Sequence, residues 1–437
     1  MLAQILFALC FLASAIFFAI NLRKIIRNIN LGKDIKRNDR KPERWKTMLK
    51  VAFGQSKMGA RPVAAVMHFF VYAGFLIINL EVLEIIIDGL FGTHRVFAVL
   101  GGFYNFLIAA FEILALLVLI GVFVFLARRV ILKVKRFNGV EMASWPKADA
   151  IYILTIEVFL MLAFLTMNAS DYKLQQLGVS HYPEAGSFPI SQFISSILPS
   201  SAERLIFIER FSWWFHILGI FAFLNYLPFS KHFHIILAFP NTWYSKLRPK
   251  GEFNNMLSVQ NEVKAMLDPS FTPPATEEVS KFGAKDVPDL NWVQLMNAYT
   301  CTECGRCTAE CPANITGKLL SPRKIMMDTR DRIEEIGRNI DQHGKDYHDG
   351  KTLLDDYISR EEIWACTTCN ACVQVCPVNI DPLSIILDLR RYAVMEEAKV
   401  TGSLNAMFSN VENNGAPWKY SPADRFNWAT KDEHLSS

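Results

Sequence analysis

Cysteine is scarce in this chain and unevenly placed: nine residues in 437, eight of them between positions 301 and 376. Only Cys10 lies elsewhere, so no spare pair exists for a structural disulfide. That excludes a disulfide-stapled secreted fold and fits a reducing compartment for the cysteine-bearing half. Charge is nearly missing from several long stretches before residue 240. The formal net charge is only +4, and no basic segment with interleaved aromatics follows residue 240, which argues against nucleic acid as a partner. The opening segment, residues 2–22, lacks the basic start and small-residue cleavage site of a signal peptide, so it reads as a retained membrane span.

The cysteines that are present form two runs, Cys301-Thr-Glu-Cys304-Gly-Arg-Cys307-Thr-Ala-Glu-Cys311-Pro312 and Cys366-Thr-Thr-Cys369-Asn-Ala-Cys372-Val-Gln-Val-Cys376-Pro377. Both have the C-x2-C-x2-C-x3-C-P spacing of bacterial ferredoxins. Three thiolates on one tight turn reach three corners of a 4Fe-4S cube, while the fourth points away and binds the other cube. The spacing therefore assigns Cys301, Cys304, Cys307 and Cys376 to one cluster, and Cys366, Cys369, Cys372 and Cys311 to a second. Zinc sites use paired C-x2-C units rather than runs of four ending in proline.

Half the residues are hydrophobic (51%), and the excess lies before residue 240. Five apolar stretches, 2–22, 62–87, 97–127, 150–168 and 211–227, are each of a length to cross a hydrocarbon core of ~30 Å. The loops at 23–61 and 128–147 carry 13 and 6 Lys/Arg, whereas 88–96 and 171–210 carry one and three. The positive-inside rule then puts the N-terminus outside and the cysteine runs in the cytoplasm. Cys10, inside the first stretch, reads as a buried apolar thiol.

Histidines inside such spans are costly and usually functional. His68 lies in the second stretch and His216 in the fifth, with His232 and His234 at the end of the fifth. If that helix runs on through Pro228, His216 and His234 are five turns apart on one face, about 27 Å, and His232 points away. That arrangement suits b-type haem stacked across the bilayer, with a second axial ligand from a neighbouring helix. His68 follows Arg61 by seven residues, which matches the depth of His234 and pairs them as ligands of an inner haem. For His216 the candidate partner is His94, with His181 or no second haem as alternatives. Glu81, Glu84, Glu112 and Glu157 are candidates for proton transfer in a quinone reaction, and the loop 171–210 for a roof over an outward-facing quinone pocket. His343, His348 and His434 read as surface residues.

The expected fold is mainly α: a five-helix transmembrane bundle followed by a cytoplasmic α-helical two-cluster ferredoxin-like domain. The divisions are 1–240 for the haem-binding membrane domain, 241–286 for a proline-broken connector with a short helix near 256–267, and 287–400 for the ferredoxin-like domain. Residues 401–437 form a C-terminal tail expected to dock a partner. Between the two cysteine runs, Ser321-Pro322 opens a charged helix.

The membrane half resembles the gamma subunit of respiratory nitrate reductase and the membrane subunit of heterodisulfide reductase. The residues that carry this are Arg61 seven before His68, and His216 eighteen before His234. The resemblance implies axial-ligand roles for His68, His216 and His234. The further histidine expected ten residues after His68 is Ile78 here, so both ligands of an inner haem are kept and only one of an outer haem. The second half is similar to heterodisulfide reductase-like iron–sulfur proteins, including electron-transfer-flavoprotein:menaquinone oxidoreductases, through Cys301–Pro312, Thr316-Gly317-Lys318, Leu320-Ser321-Pro322 and Trp364–Cys369. It lacks the CCG repeats that follow in fused relatives, which implies a separate CCG-domain iron–sulfur subunit as partner, with electron-transfer flavoprotein as a further one. The implied role is electron transfer between menaquinone in the bacterial inner membrane and that partner. Quinol-linked reduction of a disulfide or sulfur compound, and a scaffold with structural clusters and no haem, stand as alternatives.

Overall fold

The computed structural model describes residues 1–274 and 281–430. Among these, helices dominate, and β pairing is confined to two isolated bridges. Five helices are long and apolar enough to cross a membrane: Leu2–Ile29, Pro62–Phe91, Gly102–Val130, Trp145–Gln176 and Ala202–Tyr226. In hydrocarbon every backbone N–H and C=O must be satisfied within the segment, so apolar runs of this length become helices. Proline sits in the first turn of the second and fourth spans, where its missing N–H costs nothing, and Gly92 ends the second in the left-handed region. The third span starts at Gly102, later than residue 97, because 96–100 form a separate 3-10 turn. Cys10 packs at the edge of the bundle core.

The first span is seven residues longer than its charge-free run. The added turns carry Arg23, Lys24 and Arg27 out of the bundle onto the cysteine-bearing half, where Asn28 donates to the Tyr299 hydroxyl at 3.0 Å and Arg27 to the Gly337 carbonyl at 3.0 Å. The chain then passes so close to residues 290–292 that a Cβ on Gly32 would lie 2.7 Å from the Trp292 nitrogen. Lys33 donates its backbone N–H to the Leu290 carbonyl at 2.7 Å and accepts at its own carbonyl from the Trp292 N–H at 3.1 Å. One apolar core consequently crosses the boundary near residue 240, uniting Ile25, Leu227, Phe233 and Leu237 with Leu290, Leu295, Ile325 and Leu389.

The continuous helix through Pro228 is not formed. The fifth helix stops at Tyr226, and two 3-10 turns, Leu227–Phe229 and Lys231–Phe233, follow. Ser230 between them is extended, and a new helix runs His234–Trp243. Proline removes a backbone donor and clashes with the preceding turn, so the register between His216 and His234 is lost at this point. The loop 171–210 packs on the third span, where Ile190 and Ser191 donate their backbone N–H groups to Glu112 at 2.9 and 3.1 Å.

In the second half, the helix Leu257–Leu267 lies in the connector, and Ser321 caps the helix Pro322–His343 by accepting from the Lys324 N–H. Arg323, almost fully buried, donates to Glu141 at 2.7 Å and so ties that helix to the loop 128–147. His343 lies in the last turn of this helix and His348 in the loop after it, both exposed. The tail forms a helix, Gly402–Asn414, and leaves Trp418, Tyr420, Phe426 and Trp428 exposed. His434 and the end of the tail lie outside the described residues.

Candidate functional site

Each cysteine run leaves a helix, turns twice through the left-handed region and enters a short helix. Cys301 closes Trp292–Thr300, then Glu303 (φ 54°) and Gly305 (φ 70°) turn the chain into Arg306–Ala309. Cys366 closes Arg360–Ala365, then Thr368 (φ 56°) and Asn370 (φ 60°) turn it into Ala371–Val375. The positive φ values fall at equivalent positions, so the two loops are copies in backbone as well as in spacing. Such turns point backbone N–H groups at sulfur: Thr368 donates to Cys366 Sγ at 3.4 Å and Ile380 to Cys376 Sγ at 3.3 Å.

The fourth cysteine of each run crosses to the other. A cavity is lined by Cys301, Cys304, Cys307 and Cys376, with Cys372 also on its wall. The electrostatic neighbours of Cys366 include Cys311 and Cys369, and those of Cys372 include Cys366 and Cys311. Burial raises the thiols of Cys301 to about 12 and of Cys376 to about 11, and also raises Cys307, Cys366 and Cys372. Thiolates unstable in isolation are what bound iron, a strong local positive charge, would keep deprotonated. No three His, Cys, Asp or Glu side chains among the described residues converge on a single metal ion. Cys301, Cys304, Cys307 and Cys376 surround a cavity instead, which suits a multi-iron cube better than mononuclear zinc.

A second cavity, of ≈ 300 Å³, lies where the bundle meets the cysteine loops. His68, His232 and His234 line it together with Glu157, Arg129, Arg136 and Cys304. His232 was expected to point away; the break at Pro228 turns it inward, with its ring centroid 5.3 Å from that of His234. His68 and His234 share one feature: Nδ1 of His68 meets Gln55 Oε1 at 3.1 Å, and Nδ1 of His234 meets the Lys231 carbonyl at 3.2 Å. A carbonyl oxygen only accepts, so Nδ1 carries the proton and Nε2 keeps its lone pair, the tautomer a metal ligand requires. Burial lowers the pKa of His234, which keeps the ring neutral.

These two histidines are tied, through neighbouring residues, to the cysteines around the first cavity, which come from both runs. Two positions after Gln55, Lys57 donates to the carbonyl of Cys376 at 2.9 Å and to Asn379 Oδ1 at 2.8 Å. Lys231, whose carbonyl holds His234, places its ammonium on Glu303 between Cys301 and Cys304, and Arg330 donates to the other oxygen of Glu303 at 2.6 Å. Burial alone would raise the Glu303 carboxyl, but Arg330 and Lys231 outweigh it and hold it low. Burial depresses both Lys57 and Lys231.

His94 and His216 are not brought together. His216 is buried, with Nδ1 on the Leu160 carbonyl at 2.9 Å and its ring against Phe164. His94 Nε2 stands 3.3 Å from Asp171, eleven residues further along the same span, or about 16 Å of helix rise. Asp171 also takes Arg95, which donates to Asn168 at 2.9 Å and to Tyr104 at 3.0 Å, while the Tyr104 hydroxyl donates to Glu84 at 2.9 Å. His94 thus belongs to a packed ion network, and His181 sits beside it at 5.4 Å between ring centroids.

Gln55, Lys57, Tyr72, Lys231 and His232 were not legible as site residues. The available signal was Pro228, whose presence argues against the uninterrupted helix that sent His232 outward.

Residues 300–380 match the model of the 4Fe-4S dicluster domain. The whole chain is similar to the probable iron-sulfur-binding oxidoreductase FadF of Bacillus subtilis, 28% identical over 98% of this chain and 61% of that protein. It is 28% identical to the EtfAB:quinone oxidoreductase of Syntrophomonas wolfei over 90% of this chain and 55% of that protein. Over 23% of its length it is 33% identical to one component of a CoB-CoM heterodisulfide reductase of Methanosarcina acetivorans, spanning 49% of that component. The chain thus spans little more than half the length of the first two relatives. No solved structure gives a significant match. With its five apolar helices, the chain is a multi-pass membrane protein carrying a 4Fe-4S dicluster domain, and along nearly its whole length it is similar to iron–sulfur oxidoreductases.

Proposed function

We propose that this chain is the electron-transfer part of a membrane oxidoreductase that links the quinone pool, menaquinone in the bacterial inner membrane, to a soluble redox partner. The observation that carries the reading is one cavity shared by two histidines with Nε2 available and by Cys304 of the first cysteine loop. In this reading His68 and His234 would hold a b haem, and Arg136, which lines the same cavity and whose Nε has no hydrogen-bond partner among the described residues, would supply positive charge for its carboxylates. Cys301, Cys304, Cys307 and Cys376 hold one 4Fe-4S cluster, and Cys366, Cys369, Cys372 and Cys311 the other. These groups, when bound, supply one-electron redox chemistry. The protein fixes the ligands, excludes water and sets the local charge through Lys57, Lys231 and Arg330.

Loop charge supports an N-terminus outside and a cysteine-bearing half in the cytoplasm. The partner proposed there is a CCG-domain iron–sulfur protein or an electron-transfer flavoprotein, the second in keeping with the relative named EtfAB:quinone oxidoreductase. His216 has its Nδ1 on a carbonyl but no second histidine beside it, so one haem is the reading favoured over two. Similarity to a heterodisulfide reductase component favours one rival, quinol-linked disulfide reduction.

A dithionite-reduced minus oxidised spectrum of the purified protein tests the haem. The b-type band is expected in the wild type, lost in His68→Ala and His234→Ala and kept in His94→Ala. Iron well below eight atoms per chain, after allowing for haem, would undo the two-cluster assignment. Reduction of a menaquinone analogue by reduced flavoprotein with no turnover of disulfides decides against the rival.

A further inference from the structure

The ≈ 300 Å³ cavity contains more polar chemistry than two axial histidines need. Glu157 of the fourth span and His232 of the Pro228 break face each other across it, 3.8 Å between carboxylate Oε1 and imidazole Nε2, with side chains only 14% and 16% exposed. Opposite, on the second span, the Tyr72 hydroxyl is buried and has no hydrogen-bond partner among the described residues. A carboxyl, an imidazole and an unpartnered hydroxyl inside a membrane bundle are expensive, and such groups usually mark a ligand or proton site. The rest of the wall near them, including Val71, Phe125 and Leu154, is apolar. Phe75 and Leu76 line the cavity yet are 44% and 41% exposed on the outer face of the second span, so the space has a mouth toward lipid. At its other end it reaches Cys304.

We infer that this part of the cavity is the binding site for the ring of a lipid-soluble quinone, with Glu157, His232 and Tyr72 as its polar partners. The chemistry matches in both redox states. A quinone carbonyl only accepts, and Tyr72 offers a free O–H while the Glu157–His232 pair offers an N–H or O–H. A quinol hydroxyl donates, and the carboxylate accepts. The apolar wall takes the ring face, and the lipid-side mouth lets an isoprenoid tail remain in the membrane. A lipid acyl chain would use the wall and leave all three polar groups unsatisfied. His232 acts here as a hydrogen-bonding group beside His234, not as a haem ligand: its Nε2 faces Glu157. The site rests on the proposed quinone-linked function, but not on the presence of haem.

The test is binding of 2-heptyl-4-hydroxyquinoline N-oxide, a fluorescent quinol analogue, to the full-length protein in detergent, read by quenching without turnover. One site per chain is expected in the wild type. Glu157→Leu should weaken binding at least tenfold and Tyr72→Phe severalfold, with iron content and the haem spectrum unchanged; Glu203→Gln, in the exposed first turn of the fifth span, should bind as the wild type does. No binding to the wild type, or equal binding by Glu157→Leu and Tyr72→Phe, overturns the site. Loss of the b-type band in His232→Gln with His234→Gln spectrally intact overturns the role given to His232. A wild type with no b-type band that still binds the probe through Glu157 removes the haem reading and leaves this site standing.

Discussion

The two cysteine runs share spacing and backbone turns yet sit in opposite surroundings. Around the cavity lined by Cys301, Cys304 and Cys307 of the first run and Cys376 of the second, Glu303 is enclosed between Lys231 and Arg330, the carbonyl of Cys376 is held by Lys57, and Arg306 donates to the Lys57 carbonyl at 3.3 Å. Around the second, Cys369 is exposed, and the nearest fixed cation is Arg390, which holds the carbonyl of Ile363 at 2.9 Å and lies over the Trp364 ring. The same ligand loop is thus an internal component in one place and a surface in the other. Pro377 of the second run also lines the cavity shared with the membrane half, so it is Cys369, not the whole second run, that lies at the surface.

The largest effects should come from the ligands themselves. Cys301→Ser and Cys369→Ser should each lower iron from about eight to about four atoms per chain, because each removes a corner of a different cube. Equal loss of all iron in both would mean that the two sites do not assemble separately, and iron analysis with EPR reads the difference.

Next in size is the buried ion chain. Lys231→Met leaves Glu303 with one partner in an enclosed site, a change that costs about 3–5 kcal/mol in comparable buried pairs. Denaturation in detergent should show it, and pairing the substitution with Glu303→Gln should recover part of the loss. Arg390→Met, beside the second run, should cost distinctly less.

The turns offer a sharper comparison. A Cβ on Gly305 would lie 2.5 Å from Arg323 Nη1 and 2.9 Å from the Arg136 carbonyl, whereas the equivalent position 370 already carries asparagine. Gly305→Asn should therefore destabilise by about 2 kcal/mol or more, and Asn370→Gly by less than ~1 kcal/mol. Equal costs would mean that the first loop is not held against the 128–147 loop in solution.

Lys57→Met removes a cation close to Cys376 and none near Cys369. At an effective dielectric of ~20 and a separation of ~10 Å this is about 1.5 kcal/mol, or ~60 mV for one electron. The first cluster should become harder to reduce by that order, while the second stays within ~10–20 mV, as potentiometric EPR would record.

The smallest effect concerns acid stability away from both runs. Arg332, 4% exposed, binds Asp349 through two hydrogen bonds, 2.6 and 3.0 Å, and holds its carboxyl at about 2, below the ordinary ~3.9. A lowered folded-state pKa contributes stability that is complete above about pH 4 and is lost as pH falls toward 2. Asp349→Asn should flatten that part of the pH–stability curve and leave both clusters untouched.

Much of this was readable from residue order. Apolar runs of about twenty residues can only be helices in hydrocarbon, and two repeats of C-x2-C-x2-C-x3-C-P leave little freedom in what they build. Five spans, a helical second half and the Ser321 cap follow from such local rules. The helix ends were less legible, because Lys24, Arg27 and Asn28 in the added turns of the first span dock on the second half, a contact no local pattern announces.

The sequence by itself determined the spans and the ligand loops, since both follow from periodicity, hydropathy and spacing within a few turns of chain. Only the tertiary structure decided which histidines share a space. Pro228 ended the helix that would have aligned His216 with His234, turned His232 inward toward Glu157, and left His94 to Asp171 at the far end of the bundle. The two lysines that tie the His68 and His234 region to the cysteine loops, Lys231 to the first and Lys57 to Cys376 of the second, act across about 70 to 320 residues of sequence. Contacts at that separation are fixed by how the halves pack, and no window of the chain contains both partners.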